Sequence, residues 1–353
     1  AGRPMAQLQG MLASRAADAL VAFDPRAVLL RVLEQAAARG FEPVVAVELE
    51  FYLVDPVENA PPLDPRTGRR LAGEQIMNLE VMRAFDPVIE EIVDAAEALG
   101  VVTGATLAEF GPGQFEINLG HATAARACDE MVALRRAVRA VARRHGLDAT
   151  FMAKPFDGLS GSGQHLHLSV ERGGANAFDE PGEPVGPRLR HAVGGLCDTV
   201  GEAFLVFAPH LNSYRRHVPG SYAPTGCNWG IDNRGAAIRI PSARGPGARL
   251  EHRVAGADAN PYLVAAAVIA GALHGIDAGS APPPHSVGEA DGSQARFPTD
   301  WEDACEHFAT SSFVSDWLGP EFRRIFAAIK RQERTTLLGR VTDVEHAAYF
   351  RAL

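Results

Sequence analysis

The chain has 353 residues, of which 46% are hydrophobic and 22% charged, and its formal net charge at pH 7 is -9. This is the composition of a soluble protein with one large domain or two smaller ones. Because nucleic-acid binding depends on clustered cations, the acidic balance argues against a nucleic-acid partner and favours a small-molecule substrate.

Cysteine spacing and hydropathy bear on the cellular compartment. The four cysteines lie far apart without a C-x-x-C pair, which favours free thiols in a reducing cytoplasm. The most apolar helical stretch, residues 261–276, is shorter than the ~20 residues of a membrane span. We therefore predict a buried helix there and no membrane partner, and the first residues lack the pattern of a signal peptide.

Helices are predicted from their end signals and apolar stripes. Residues 24–40 begin with a capping Asp24 followed by Pro25 and end at Gly40. The same pattern predicts further helices over 86–100, 124–145, 187–207, 261–275 and 319–352. Segments 55–70 and 274–300, rich in Gly and Pro, are predicted to be surface loops, and 212–241 could be a long structural loop.

Five segments between the helices alternate apolar and polar residues with period two, which is typical of strands. They are VVAVELEFYLV (44–54), FEINLG (115–120), HLHLSV (165–170), AIRIP (237–241) and RLEHRV (249–254). Their polar positions carry mainly Glu, His and Arg rather than the Lys, Thr, Ser and Gln usual on a solvent-facing strand: Glu48, Glu50, Glu116, Asn118, His165, His167, Ser169, Arg239, Arg249, Glu251 and Arg253.

Each segment taken singly could be a surface strand with a solvated face. Five together favour a shared site, because Glu, His and Arg are the groups that bind metals and phosphates. Two like charges on one face, as at Glu48 and Glu50, raise a carboxylate pKa unless a cation neutralises them. A divalent metal is the simplest such cation.

Six segments, in this order, resemble motifs of the glutamine synthetase superfamily: VELEFYL, GPGQFEINL, MAKPFDGLSGSGQHLHLS, NSYRRHVPGSYAPT, DNRGAAIRIP and LEHRVAGADANPYL. The resemblance covers about residue 41 to the C-terminus. It implies an α+β fold in which a curved, mainly antiparallel sheet forms an active-site funnel backed by helices. We place this catalytic domain at residues 24–353 and interpret residues 1–23 as a remnant of an N-terminal β-grasp domain that is largely absent from this sequence.

The resemblance also implies a set of site residues. Two divalent ions, Mg²⁺ or Mn²⁺, would be held, one by Glu50, Glu109 and Glu116 and the other by Glu48, His165 and Glu251. ATP would lie near His167 and Ser169, with Arg234 and Arg239 on the transferred phosphate. The amino-acid substrate would contact Ser160, Gly161, Arg216 and Arg253.

The implied reaction is ATP-dependent amide formation, in which a γ-glutamyl phosphate is attacked by an amine. Ammonia-using members carry a glutamate in a Pro-Gly-Tyr-Glu flap and an Asn before the Gly-Ser-Gly turn. Here the flap reads VPGSYAPT, with Ser221 and Tyr222, and Ser160 stands in place of the Asn. Both differences resemble the branch that joins glutamate to polyamines, ethanolamine or alkylamines.

Several alternatives stay open at this point. The chain could be an ammonia-using glutamine synthetase, or a non-catalytic relative acting as a scaffold or regulator, although such a relative would be expected to lose metal ligands. A phosphotransfer role like that of guanidino kinases is a further alternative. The expected partners are glutamate, ATP, an amine and other copies of the chain in stacked rings of six.

Overall fold

The structure is a computed structural model that describes residues 9–14, 19–288 and 297–352. Its main feature is a sheet of ten strands, which run in the order β10-β11-β12-β8-β3-β5-β4, with β6 and β7 paired to β3 and β9 paired to β8. The strands are β3 (Glu42–Val54), β4 (Thr103–Ala108), β5 (Gln114–Leu119), β6 (Ala122–Thr123), β7 (Asp148–Thr150), β8 (Gln164–Arg172), β9 (Ala175–Asn176), β10 (Trp229–Ile231), β11 (Ile238–Ser242) and β12 (Arg249–His252).

All of these pairings are antiparallel except the one between β10 and β11, which is parallel. The predicted α+β fold with a mainly antiparallel sheet is therefore confirmed. A separate two-stranded hairpin joins β1 (Ala13–Ser14) to β2 (Ala19–Leu20).

Nine helices occur in the described ranges. They are α1 (Pro25–Ala38), α2 (Leu79–Ala98), α3 (Ala124–Arg144), α4 (Pro187–Phe207), α5 (Pro261–Ala278), α6 (Trp301–Thr310), α7 (Ser312–Trp317), α8 (Pro320–Leu338) and α9 (Asp343–Tyr349), with a 3-10 turn at Ser213–Arg215. Helices α1 and α3 pack on β3, α5 packs on β8, and α4 packs on β12.

Strand β3 shows why the sheet has one apolar and one polar face. Its odd-numbered residues Val45, Val47, Leu49, Phe51 and Leu53 are at most 1% exposed and belong to the core shared with the helices. Successive side chains of a strand point to opposite faces, so the even-numbered glutamates must lie on the face away from this core.

Helices α1, α3 and α4 begin and end within a residue or two of the predicted bounds. The prediction for α2 is wrong at its start: the helix begins at Leu79, capped by Asn78, and Pro87 lies inside it. The earlier start has its own cap, because the Asn78 side chain accepts hydrogen bonds from the N–H groups of Glu80 at 2.9 Å and Val81 at 3.3 Å. The extension includes the fully buried Phe85, whose ring centroid lies 5.4 Å from that of Phe115.

Further corrections concern the C-terminal third. The prediction of one helix over 319–352 is wrong, because α8 ends at Leu338 and Thr342 caps a separate helix α9. Helices α6 and α7 and strand β10 were not predicted.

Helix α5 extends three residues beyond its predicted end and stops at the left-handed Gly279. The loop predicted over 274–300 therefore begins later than expected, and its residues 289–296 lie outside the described ranges. Segment 55–70 is a loop, as predicted.

Within the described ranges, α5 alone has the length and composition of a membrane span, but 78% of it is buried inside the fold. It packs on α4 so closely that a Cβ added at Gly195 would lie 2.3 Å from the carbonyl oxygen of Gly271. Burial of this kind is that of a core helix, which confirms the sequence prediction.

Candidate active site

Strand register brings the polar side chains together on one face of the sheet. Glu48 on β3 lies opposite His165 on β8, and Glu50 lies opposite Glu116 on β5. On the other side of β8, His167 lies opposite Glu251 on β12. Four strands that are distant in sequence thus contribute carboxylates and imidazoles to one cluster.

Glu48 bridges the two histidines. Its Oε2 lies 3.0 Å from His165 Nδ1, and its Oε1 lies 2.8 Å from His167 Nε2. Burial opposes the charge of this carboxylate, but the two imidazole hydrogen bonds hold its pKa well below its usual range. Glu48 is therefore anionic in the folded protein.

Two further carboxylates are crowded against this anion. Burial, and then the nearby Glu50, raise the pKa of Glu109 to about 8. Burial, and then Glu48 and Glu50, raise the pKa of Glu116 to about 9. A carboxylate pKa rises in this way when several carboxylates are buried together without enough nearby positive charge. A bound divalent cation would supply that positive charge.

The donor set fits divalent cations. Two groups of ligand atoms each lie within 4.8 Å of one another: Glu48, Glu116 and His165 form one, and Glu48, His167 and Glu251 form the other. Oxygen-rich donors with an imidazole suit Mg²⁺ or Mn²⁺ better than a structural zinc. This grouping differs from the predicted ligand sets, which joined Glu116 to Glu50 and Glu109, so the division of ligands between two ions stays a prediction.

Glu50 is held differently from Glu48. Its Oε2 accepts hydrogen bonds from the Gly163 N–H at 2.8 Å and from Gln114 Nε2 at 3.2 Å, while its Oε1 lies 3.8 Å from His165 Nε2. Gly163 lies where several side chains converge, because a Cβ there would lie 2.7 Å from Arg216 Nη2 and 2.9 Å from His165 Nε2. Any residue with a Cβ at position 163 would therefore displace the side chains of Arg216 and His165.

Three arginines surround the anionic cluster. Glu251 is fully buried and accepts a hydrogen bond from Arg239 Nη1 at 2.7 Å and another from Arg253 Nη1. Arg216 is buried, with Nη1 donating to the Val254 carbonyl at 2.9 Å. The buried Nε of Arg253 has no partner within the described residues, which leaves an N–H able to donate to a carboxylate or phosphate.

The remaining predicted residues lie around this centre. Gly161 approaches Arg216 so closely that a Cβ would lie 2.9 Å from its Cγ, and the carbonyl of Ser160 accepts a hydrogen bond from the Tyr52 hydroxyl at 2.8 Å. Ser169 lies two residues beyond His167 on the same face of β8. Arg234 is exposed on the loop before β11.

Tyr222 lies on the loop that follows Arg216, and its side chain is 69% exposed. Its ring stacks on that of Phe110, with 4.6 Å between centroids and 23° between planes. Phe110 directly follows Glu109, so the turn that carries this stack begins at a residue of the carboxylate cluster.

Sequence reasoning missed Phe110 and Gln114, and it placed Arg249 on a polar strand face without giving it a role. Gln114 donates to Glu50 and to the Gly161 carbonyl at 3.0 Å, and Arg249 Nε lies 3.3 Å from His167 Nδ1. Gln114 and Arg249 share the polar period of Glu116 and Glu251, so the alternation was a usable signal for both. Phe110 gave no such signal, because it lies in the turn between β4 and β5.

Comparison with known proteins agrees with this geometry. Residues 22–349 match the family model for the glutamine synthetase catalytic domain. The chain therefore belongs to the glutamine synthetase family, which confirms the resemblance seen in its sequence. By class it is an ATP-dependent carbon–nitrogen ligase.

Among its relatives is the gamma-glutamylputrescine synthetase PuuA of Escherichia coli, 39% identical over 332 residues, which are 91% of this chain and 70% of that protein. The gamma-glutamylethanolamide synthetase of Streptomyces coelicolor is 33% identical over 326 residues, again 91% and 70%. The glutamine synthetase of Thermotoga maritima is 37% identical over 255 residues, which are 72% of this chain and 57% of that protein. A solved structure of GmaS in complex with ADP superposes with a TM-score of 0.86 at 31% identity, covering 95% of this chain and 79% of that one.

Proposed function

We propose that the protein joins the γ-carboxylate of glutamate to a primary organic amine, with conversion of ATP to ADP and phosphate. The observation that carries this proposal is the position of Tyr222, whose exposed ring stacks on Phe110, the residue next to Glu109, on the loop where ammonia-using relatives are expected to carry a glutamate. The similarity to enzymes named for putrescine and ethanolamide products supports it.

The first step activates glutamate. An oxygen of its γ-carboxylate attacks the γ-phosphorus of ATP, the bond to ADP breaks, and an acyl phosphate forms. Arg216 and Arg253 would hold the carboxylates of glutamate, and Arg239 and Arg234 would face the transferred phosphoryl group, because a guanidinium fork suits both anions. Bound Mg²⁺ or Mn²⁺, held by the six predicted ligands, would neutralise phosphate charge that these arginines leave uncompensated.

In the second step the nitrogen lone pair of the amine attacks the acyl carbon, phosphate leaves, and the nitrogen loses a proton. Ammonium is small and charged, so an enzyme that uses it gains from an anionic flap residue. Tyrosine has no carboxylate and offers an apolar ring instead. Each methylene that an amine buries on such a surface contributes about 0.8 kcal/mol, which can replace a dedicated ammonium site.

Ammonia remains the second candidate acceptor, because the Thermotoga maritima glutamine synthetase is also similar. In that case Tyr222 would only pack against Phe110, and another carboxylate would take the proton.

We further propose that residues 24–353 form the catalytic domain, that residues 1–23 derive from the N-terminal β-grasp domain, and that the protein works in stacked rings of six subunits. Its four free cysteines fit a reducing compartment, which supports a cytoplasmic location.

The test is ADP release by the full-length protein with glutamate and Mg²⁺ or Mn²⁺, measured for ammonium, methylamine, isopropylamine, ethanolamine and putrescine. At least one organic amine should exceed ammonium in kcat/KM by about tenfold or more, which corresponds to about 1.4 kcal/mol. Tyr222→Glu should narrow that difference, whereas Tyr222→Phe, which keeps the ring, should not. Ammonium as the best acceptor of the unmodified enzyme would overturn the proposal.

A further inference from the structure

The stacked pair of Phe110 and Tyr222, here called the aromatic pair, joins two segments that are far apart in sequence. Phe110 lies in the turn between β4 and β5, and Tyr222 lies in the loop between α4 and β10. With centroids 4.6 Å apart the rings are in contact, so no ligand fits between them. Any ligand must lie along the side of the pair that stays open.

Phe110 is the rigid member. The N–H of Gly111 donates to Gln114 Oε1 at 2.9 Å, the N–H of Gly113 donates to Gln75 Oε1 at 3.0 Å, and the Phe110 carbonyl accepts from the Gln75 N–H at 3.1 Å. Hydrogen bonds with Gln75 and Gln114 therefore hold the turn that carries the ring.

The loop of Tyr222 is closed on itself at its base. The half-buried imidazole of His217 lies with Nδ1 2.8 Å from the Pro224 carbonyl. Ser221 Oγ lies 2.8 Å from the Arg216 carbonyl oxygen and 2.7 Å from that of Val218, so its hydroxyl donates between these two acceptors. These bonds tie the loop to Arg216 and present Tyr222 to Phe110.

The chemistry of the pair identifies the kind of ligand. The two rings offer hydrocarbon apart from the tyrosine hydroxyl, and the loop of Tyr222 is tied to Arg216, which would hold a carboxylate of glutamate. A ligand that matches this surface and supplies the nitrogen of the proposed reaction is an amine whose nitrogen is followed directly by methylenes.

We infer that the aromatic pair determines acceptor specificity, with the hydrocarbon of a primary alkylamine lying along Phe110 first and Tyr222 further out. This inference rests on the proposed function. Phe110 is covalently next to Glu109, so it would contact the methylenes nearest the nitrogen, whereas the more exposed Tyr222 would contact those farther along the chain.

The test compares kcat/KM for ammonium, methylamine, propylamine and pentylamine in the full-length enzyme. In the unmodified protein each added methylene that is buried should raise kcat/KM by roughly fourfold. Phe110→Val should lower the ratio of propylamine to methylamine about tenfold, because it removes the ring that the first methylenes contact. Tyr222→Ala should leave that ratio within about twofold and lower the ratio of pentylamine to propylamine about tenfold.

A matched control is Phe326→Val, which breaks the comparable stack of Phe326 on Phe322 in α8, at 5.2 Å and 26°. It should leave both ratios unchanged. Folding of Phe110→Val is judged by circular dichroism and thermal melting. If it fails to fold, Phe110→Leu replaces it, because leucine keeps most of the side-chain volume. This variant should also weaken the dependence of kcat/KM on amine chain length, but by a smaller factor.

The outcomes separate the two proposals. A wild-type preference for ammonium would refute the proposed function. A wild-type preference for alkylamines whose dependence on chain length is the same in Phe110→Val would refute only the role of the aromatic pair.

Discussion

The carboxylate cluster should make the metal-free protein less stable as pH rises, and Glu116→Gln should remove much of that loss. The folded state holds the pKa of Glu116 at about 9, whereas the unfolded chain releases the same proton near pH 4.5. Between these values the folded state binds more protons than the unfolded state, so the free energy of unfolding falls with rising pH. Glutamine resembles the protonated carboxyl and has no charge to lose.

The size of the effect follows from the shift. Each pH unit in this window costs about 1.4 kcal/mol for one group, so the ceiling between pH 5 and pH 8 is about 4 kcal/mol. Glu109 contributes to the raised pKa of Glu116, and such coupled groups titrate together. Removing one carboxyl eases ionisation of the other, and we expect a net gain of about 2 kcal/mol at pH 8.

Chemical denaturation in EDTA at pH 5 and pH 8 measures this difference. Glu116→Gln should match the unmodified protein at pH 5 and be more stable at pH 8. Glu42→Gln, at the exposed start of the same central strand, serves as the control and should show no such gain. Added Mg²⁺ or Mn²⁺ should reverse the order at pH 8, because it stabilises the folded protein only where its ligands are intact. Equal pH dependence in the variant and the unmodified protein would refute the account of the cluster.

Three other changes test the site. Gly163→Ala should lower kcat/KM about 100-fold, because the added Cβ would displace Arg216 and His165. Gly201→Ala on α4 is the control and should leave activity unchanged, since a Cβ there meets nothing within 4 Å. His165→Ala should abolish turnover and weaken Mn²⁺ binding measured by calorimetry, while the untouched apolar face of β8 keeps the fold intact. Unchanged turnover would exclude His165 as a metal ligand. Arg239→Lys should lower kcat at least about tenfold, since lysine cannot replace the fork that joins Glu251 and Asp232, and wild-type kcat would contradict a role for that fork.

Which residues form the polar cluster could largely be predicted from the sequence, because the signals are local. Period-two alternation placed Glu48, Glu50, His165 and Glu251 on polar strand faces, and the structure puts those faces together. The same reasoning gave α1, with its Asp24 cap, and α3 and α4, whose apolar stripes lie within each segment. It failed for α2, which starts at the Asn78 cap and runs through the Asp-Pro pair that served as its predicted start.

What the sequence determined by itself is which side chains share a strand face, since alternation is fixed by the geometry of the extended backbone. Which strands pair was left to the tertiary structure, because register depends on contacts between segments more than 100 residues apart, as between Glu48 and His165. The stack of Tyr222 on Phe110 is of the same kind. Neither loop carries a periodic pattern, and only the folding of the two loops against each other brings the two rings into contact.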